Sequence, residues 1–297
     1  MTIRIGSISM DSMADKQTNI KKHLKFIERA AKEKIDLLVF PEVSVPGFGK
    51  KFCPSTISPD ASYALLQTAE SVPSGPTTQL IMEQAKKNNM YISFGIFEKD
   101  TLYCERAYNT VVLVGPNGFI GKYHKIHQPG TERLYFFPGD HFEVFDTPIG
   151  RIGIIICFEQ SYPEASRCLK LLGAEIVICP TAWPATDLKK IEDDPLLMQY
   201  KMFGNCRAME NSFIFVASNQ YCSGDALWCG AGHARIINPQ GVELASTGFE
   251  EGIAIADVDV KKEIQKSFSF GMGIGGNSFF RDMRPDIYIP VYETFKK

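Results

Sequence analysis

The segment RIGIIICFEQSYPEASRCLKLLGAEIVICPTAW, residues 151–183, places a helical pattern between two apolar runs. The runs at 151–159 and 175–183 are rich in Ile and are bounded by polar or turn residues, as buried strands are. Pro163 and Glu164 open the segment 163–173 and favour the first turn of a helix. Strands buried on both faces and joined through helices predict an α/β layer protein.

The same alternation extends in both directions along the chain. Further strand candidates are the apolar runs 3–9, 36–42, 91–98, 109–115, 213–220, 233–241 and 253–260. Further helical patterns lie at 19–34, 76–89 and 195–211. GPNG at 115–118 and NPQG at 238–241 are typical of tight turns between antiparallel strands. We therefore expect a mixed sheet.

The composition is that of an ordinary folded protein, with 44% hydrophobic and 22% charged residues among 297 and a net charge of −2. No long basic run is present, so we expect no nucleic-acid partner. The apolar runs are shorter than the roughly 20 residues of a membrane-spanning helix, so we expect no membrane association. The N-terminus carries no export-signal pattern, which favours a cytoplasmic protein with reduced cysteines.

No linker, compositional shift or repeat divides the chain. We predict one domain over residues 1–262 and a C-terminal tail over 263–297, where periodicity weakens and glycines and aromatics accumulate. We expect this tail to pack on the domain or on a partner subunit.

We expect neither a metal nor an organic cofactor. HKIH at 124–127 and the Cys222/Cys229 pair contain ligand residue types but lack the spacing of a zinc site. GMGIGG at 271–276 formally fits the dinucleotide-binding pattern, yet no βαβ unit follows it.

Cys157 has the best local arrangement for catalysis among the eight cysteines. It stands where an apolar strand gives way to a polar turn, and ligands in open α/β sheets collect at the carboxyl ends of strands. The backbone amide of Phe158 would lie near a developing oxyanion in such a turn. The alternative is an inert, buried cysteine, because Cys179 also ends an apolar run.

Two other charged residues are candidates for the same site. Glu42 directly follows the strand candidate DLLVFP, and Lys125 follows the predicted turn at 115–118. A carboxylate in an apolar cleft serves as a proton acceptor, and an ammonium there stabilises negative charge. On a solvated loop, either residue would have no catalytic role.

The motifs resemble those of the nitrilase superfamily of carbon–nitrogen hydrolases. FPEVSVPGF around Glu42, KYHKIH around Lys125 and IICFEQSYPE around Cys157 occur in the order of that family. ERLYFFPGD places Glu132 where many members carry a second glutamate, and RAMENSFIFVASN at 207–219 resembles another family segment. The resemblance covers nearly the whole chain, and it implies an αββα four-layer sandwich with mixed sheets and assembly into a homodimer or larger oligomer.

The resemblance also implies roles for these residues. Cys157 would be the nucleophile, Glu42 the general base and Lys125 the stabiliser of the tetrahedral intermediate. Glu132 would orient the substrate, the lysine or water. The cysteine is followed by Phe158 rather than by the tryptophan of nitrilases, and Tyr-Pro-Glu at 162–164 is similar to amidases and N-carbamoyl-amine hydrolases.

We therefore favour hydrolysis of a small amide or N-carbamoyl compound. A nitrilase remains one alternative, because Glu159 keeps a nitrilase-like acid. A non-catalytic binding protein is the other alternative. The candidate substrate contacts are Phe158, Glu159, Trp183 and Tyr135. Glu159 could equally cap a helix, and Trp183 could equally be a core or interface residue.

Overall fold

The structure, a computed structural model, describes residues 1–12, 15–47, 65–222, 230–269, 279 and 282–295. The strands are β1 (Thr2–Met10), β2 (Leu37–Val39), β3 (Tyr91–Lys99), β4 (Ala107–Gly115), β5 (Gly118–His124), β6 (Val144–Thr147), β7 (Gly150–Ile154), β8 (Ile176–Thr181), β9 (Ile214–Gln220), β10 (Arg235–Ile237), β11 (Glu243–Ser246) and β12 (Gly252–Asp259). The helices are α1 (Lys16–Lys32), α2 (Pro76–Asn88), α3 (Pro163–Leu171), α4 (Pro195–Asn211), α5 (Val260–Ser269) and α6 (Pro285–Glu293).

The strands form a mixed sheet in the order β5-β4-β3-β2-β1-β9-β8-β7-β6. Along this order, pairing is parallel from β3 through β1 to β7 and antiparallel towards both ends. Off this order, β12 pairs antiparallel with β1, and β10 pairs antiparallel with β9 and β11. The sheet passes from one half to the other at β1, whose first part pairs with β2 and whose last residues, Ser9 and Met10, pair with β9.

The two halves of this sheet pack face to face between layers of helices. The core between them joins apolar side chains of β1, β2 and β4 to those of β7, β8 and β9. A second core joins the outer face of β1–β4 to α1 and α2. On the other side, Gly153 of β7 lies against Leu169 of α3, and Phe215 of β9 lies against Gly204 of α4. The predicted αββα sandwich with mixed strands is confirmed.

The sequence patterns located the central elements and missed several peripheral ones. Both hairpin turns are present, between β4 and β5 and between β10 and β11. Strands β5, β6 and β11 are absent from the strand candidates, although the two predicted turns imply a strand after each, because their residues are partly exposed and give no continuous apolar run. The predicted boundary at 262 falls inside α5, and the tail contains the further helix α6.

The C-terminal GMGIGG segment at 271–276 lies outside the described residues. Among the helices that the structure describes, none combines the length and the apolar character needed to cross a bilayer.

Candidate active site

Cys157 stands at a sharp turn directly after the end of β7. The β7–β8 pairing continues to Ile155, whose amide donates to the Ile178 carbonyl at 3.1 Å. Two residues later Cys157 adopts a φ of +52° and begins the 3₁₀ turn Cys157–Ser161. A non-glycine residue with positive φ is strained, and such strain persists where the surrounding structure holds it. The turn takes the thiol out of the path of the strand.

Glu42 lies beyond the end of β2, in a tightly packed turn. Its side chain is buried, and its Oε1 accepts hydrogen bonds from Lys125 Nζ and Asn109 Nδ2, both at 2.7 Å. Its Oε2 accepts one from the Ala182 amide at 3.0 Å. The turn crosses Gly95 of β3 so closely that a Cβ there would lie 2.2 Å from a backbone nitrogen of the turn. Glycine at position 95 therefore lets the Glu42 turn reach its place.

Lys125 joins two carboxylates inside the protein. It follows β5 directly and is fully buried. Its Nζ donates to Glu42 Oε1 at 2.7 Å and to Glu132 Oε2 at 2.8 Å. Glu132 lies in the 3₁₀ turn Gly130–Leu134 and is only 4% exposed. A buried ion is retained when it is paired and hydrogen-bonded, and this cation has both kinds of partner.

The charges of this cluster act on one another and on the thiol. Burial alone would lower the pKa of Lys125, but the carboxylates of Glu132 and Glu42 raise it well above its ordinary value. Burial raises the pKa of Glu132 to about 7, although Lys125 opposes the shift. Burial and the Glu42 charge raise the pKa of Cys157 well above its ordinary value, against the opposing effect of Lys125. Cys157 is therefore a neutral thiol near the charged ammonium of Lys125.

One backbone amide connects Glu42 to Cys157. The Ala182 N–H that donates to Glu42 also lies within hydrogen-bonding reach of the Cys157 sulfur, and it lowers the pKa of that thiol. The structure thus brings together Glu42, Lys125, Glu132 and Cys157, which come from four separate segments of the chain.

One of the predicted substrate contacts is partly exposed, and the other three are buried. Phe158 is partly exposed, meets Tyr162 edge to face and remains available to a ligand beside Cys157. Tyr135 is 9% exposed and belongs to an apolar cluster with Ala182. Trp183 is 6% exposed, donates from Nε1 to the Leu196 carbonyl at 2.8 Å and packs among aromatic rings of α4. The geometry of Trp183 fits the core interpretation better than a ligand contact.

Glu159 is fully buried, and its carboxylate is surrounded by protein donors. Its Oε2 accepts a hydrogen bond from the Ile156 amide at 2.8 Å, across the start of the 3₁₀ turn. The capping interpretation therefore fits Glu159 better than contact with a substrate, although the capped element is its own 3₁₀ turn rather than the following helix.

Other groups of the site did not emerge from the sequence patterns. Asn109 binds Glu42 from the start of the apolar strand β4, where a polar residue in an inward position was the available signal. The Ala182 amide carries no side-chain signal at all. Arg207, within the segment 207–219, is 6% exposed and donates from Nε to the Gln160 carbonyl at 2.8 Å. It supports the end of the 3₁₀ turn Cys157–Ser161.

Among the described residues, no group of three or more His, Cys, Asp or Glu side chains is arranged to hold a metal ion. Cys229, one member of the pair considered in the sequence, lies outside these residues.

Comparison with known proteins places the chain in a family. The Carbon-nitrogen hydrolase family model matches residues 4–265. The chain belongs to this family. A nitrilase of Pyrococcus abyssi is 30% identical to this carbon-nitrogen hydrolase over 290 residues, which cover 96% of this chain and 99% of the relative. The omega-amidase NIT2 of Homo sapiens is 28% identical over 300 residues, which cover 97% of each chain.

Solved structures agree with the fold of this carbon-nitrogen hydrolase. The crystal structure of a carbon-nitrogen hydrolase from Helicobacter pylori G27 superposes with a TM-score of 0.83 at 23% identity, over 98% of this chain and 99% of that one. The resemblance to the nitrilase superfamily inferred from the motifs is confirmed, and the family model also includes the first residues of α5.

Proposed function

We propose that this carbon-nitrogen hydrolase cleaves the C–N bond of a small amide or N-carbamoyl compound through an acyl thioester on Cys157. The observation that carries the proposal is the buried Glu42–Lys125–Glu132 cluster, which is electrostatically coupled to the thiol. A thiol, a carboxylate and a fixed cation in one buried site are the groups that acyl transfer requires.

The first half of the reaction begins with proton transfer, because the resting thiol is neutral. Glu42 takes the proton from Cys157 while the sulfur attacks the carbonyl carbon, whose oxygen becomes an oxyanion. We assign the Lys125 ammonium and the Phe158 backbone amide as its donors. The C–N bond then breaks, Glu42 returns the proton to the departing nitrogen, and ammonia or an amine leaves.

The second half removes the acyl group. Glu42 takes a proton from water, and the oxygen of that water attacks the thioester carbon. The C–S bond breaks, the acid is released, and the sulfur recovers its proton from Glu42. Lys125 stays protonated through both halves, since its two carboxylate neighbours raise its pKa. Glu132 keeps the ammonium in place by its 2.8 Å hydrogen bond.

The substrate class rests on the residues after the nucleophile and on the names of relatives. Phe158 and the Tyr-Pro-Glu segment favour amides, and one relative is named an omega-amidase. A nitrile is the second candidate, because Glu159 matches the nitrilase pattern and another relative is named a nitrilase.

A substrate panel tests this proposal. Purified protein is incubated with primary amides, N-carbamoyl amino acids and nitriles, while ammonia release and the mass of the intact protein are followed. We expect ammonia from an amide or carbamoyl compound, and an acyl adduct on the wild type that Cys157→Ala lacks. Release from nitriles alone would reject the amide choice.

A non-catalytic binding protein would give neither turnover nor adduct, and its Cys157 would resist iodoacetamide in the native state.

A further inference from the structure

We propose that Glu159 is a positioning residue whose buried carboxylate holds the backbone beside Lys125 and the backbone beside Cys157 at a fixed separation. The inference deepens the proposed function and rests on it for its effect on turnover. It assigns Glu159 no contact with the substrate.

The contacts of Glu159 lie on both sides of the site. Its Oε1 accepts hydrogen bonds from the amides of Ile126, at 3.0 Å, and His127, at 3.2 Å. Its Oε2 accepts one from the Ile156 amide at 2.8 Å. Ile126 directly follows Lys125, and Ile156 directly precedes Cys157. One side chain therefore ties the two segments that carry the cation and the nucleophile.

Two side chains also approach the Oε1 atom of Glu159. The Tyr123 hydroxyl, on β5, donates to it at 2.9 Å, and the His127 ring Nδ1 lies 3.3 Å away. An ionised carboxylate offers about four lone-pair positions and donates nothing, so it satisfies backbone amides on both sides. Charge-assisted hydrogen bonds are also stronger than neutral ones.

Neither glutamine nor aspartate at position 159 would reproduce these hydrogen bonds. Glutamine has an oxygen on one side only, so its NH₂ group would face an amide donor on the other. Aspartate keeps the charge but is shorter by one methylene group, which removes roughly 1.5 Å of reach on the C–C bond scale. The connection therefore requires both the acceptor pair and the length of Glu159.

Arg207 supports the opposite end of the same turn. Its Nε donates to the Gln160 carbonyl at 2.8 Å, and its Nη2 approaches the Ser161 carbonyl at 3.4 Å. Glu159 binds an amide at the entry to the turn, and Arg207 binds carbonyls at its exit. Because Cys157 itself is held at positive φ, supports at both ends maintain the direction of its side chain.

Loss of this support should reduce turnover rather than binding. A misplacement of about 1 Å in a reacting group costs on the order of 100-fold in rate. We expect Glu159→Gln and Glu159→Asp each to lower kcat about 100-fold, with KM within about threefold of the wild type.

The thiol supplies a readout that needs no substrate. The pH dependence of Cys157 alkylation by iodoacetamide is followed by peptide mass mapping. Because the Lys125 ammonium lowers the pKa of this thiol, displacement of Lys125 should move the alkylation midpoint to higher pH. Urea unfolding of each variant accompanies the measurement.

Two further variants keep the test decisive. Tyr123→Phe removes one donor to Glu159 and should give a smaller decrease in kcat in the same direction, even where a Glu159 variant fails to fold. Glu70→Gln is the matched control, since Glu70 is also buried and accepts hydrogen bonds from Thr77 and Lys16. It should lose stability and keep the wild-type kcat and alkylation midpoint.

Three results would overturn the inference. They are unchanged kcat and alkylation in folded Glu159→Gln, full activity of Glu159→Asp, and a change in KM alone, which would indicate a substrate contact. If the wild type hydrolyses nothing in the panel, the proposed function fails, whereas the alkylation midpoints still test the role of Glu159.

Discussion

Replacing Glu42 with Gln removes the proposed base and leaves nearly the same volume in the site. The amide oxygen of the variant can retain the hydrogen bonds that Oε1 accepts from Lys125 and Asn109, both at 2.7 Å. The NH₂ group then faces the Ala182 amide, which donates to Oε2 in the wild type at 3.0 Å. A buried donor without an acceptor costs about 1–3 kcal/mol, so the variant should fold with reduced stability.

The loss of activity should be much larger than this loss of stability. General-base catalysis contributes about 10²–10⁴-fold in rate, and burial raises the pKa of the Cys157 thiol, so little thiolate forms without the base. We expect Glu42→Gln to lower kcat at least about 100-fold with little change in KM. Residual activity should increase with pH, because hydroxide then removes the proton from the thiol.

Ammonia release measures the rate, and urea unfolding measures the stability of the same preparation. Glu70→Gln serves again as the control, because its carboxylate is buried in a separate network with Lys16 and Thr77. Folded Glu42→Gln protein that keeps more than about a tenth of the wild-type kcat would refute the assignment of the base, given the usual size of that contribution.

Other variants test charged and titratable side chains of the candidate site and of the helices. Lys125→Met should lower kcat about 10²–10³-fold in the ammonia assay. Burial lowers the pKa of His23 to about 4, so urea titrations should show about 3 kcal/mol of stability lost as pH falls from about 6.5 to 4, and His23→Gln should remove this slope. Burial raises the pKa of Glu132 to about 7, so Glu132→Gln should gain stability relative to the wild type as pH rises from about 4 to 7. Asp194→Ala removes the N-cap of α4 and should cost about 1 kcal/mol in thermal unfolding.

The central strands and the sandwich helices could be predicted because their burial leaves a mark on the local sequence. β7, β8 and β9 read as continuous apolar runs, since both of their faces are covered. The peripheral strands β6 and β11 carry partly exposed residues and give no comparable pattern. Helix α6 is exposed along its whole length in the single chain, so its apolar residues do not form one buried stripe.

The same distinction applies to the site. Strand ends nominated Glu42 and Cys157, the loop after a predicted turn nominated Lys125, and the order of the three motifs, which resembles that of a family, distinguished them from other candidates. The distances between these residues could not be predicted from the local sequence pattern. The contact between Glu42 and the Ala182 amide joins residues 140 positions apart, and the one with Asn109 joins residues 67 apart.

The order of apolar and polar residues predicted an α/β layer protein and placed Cys157 and Glu42 at strand ends, since periodicity and residue type are local properties. The resemblance of the motifs to a family supplied the roles expected of Cys157, Glu42 and Lys125. Folding established which donors surround each charge. Glu159 illustrates the difference: its position in the sequence indicates a carboxylate near Cys157, but its hydrogen bonds with the Ile126 and Ile156 amides direct it to the protein rather than to a ligand. Charge and hydrogen-bonding capacity belong to the side chain, whereas desolvation and partners arise only when distant segments pack together.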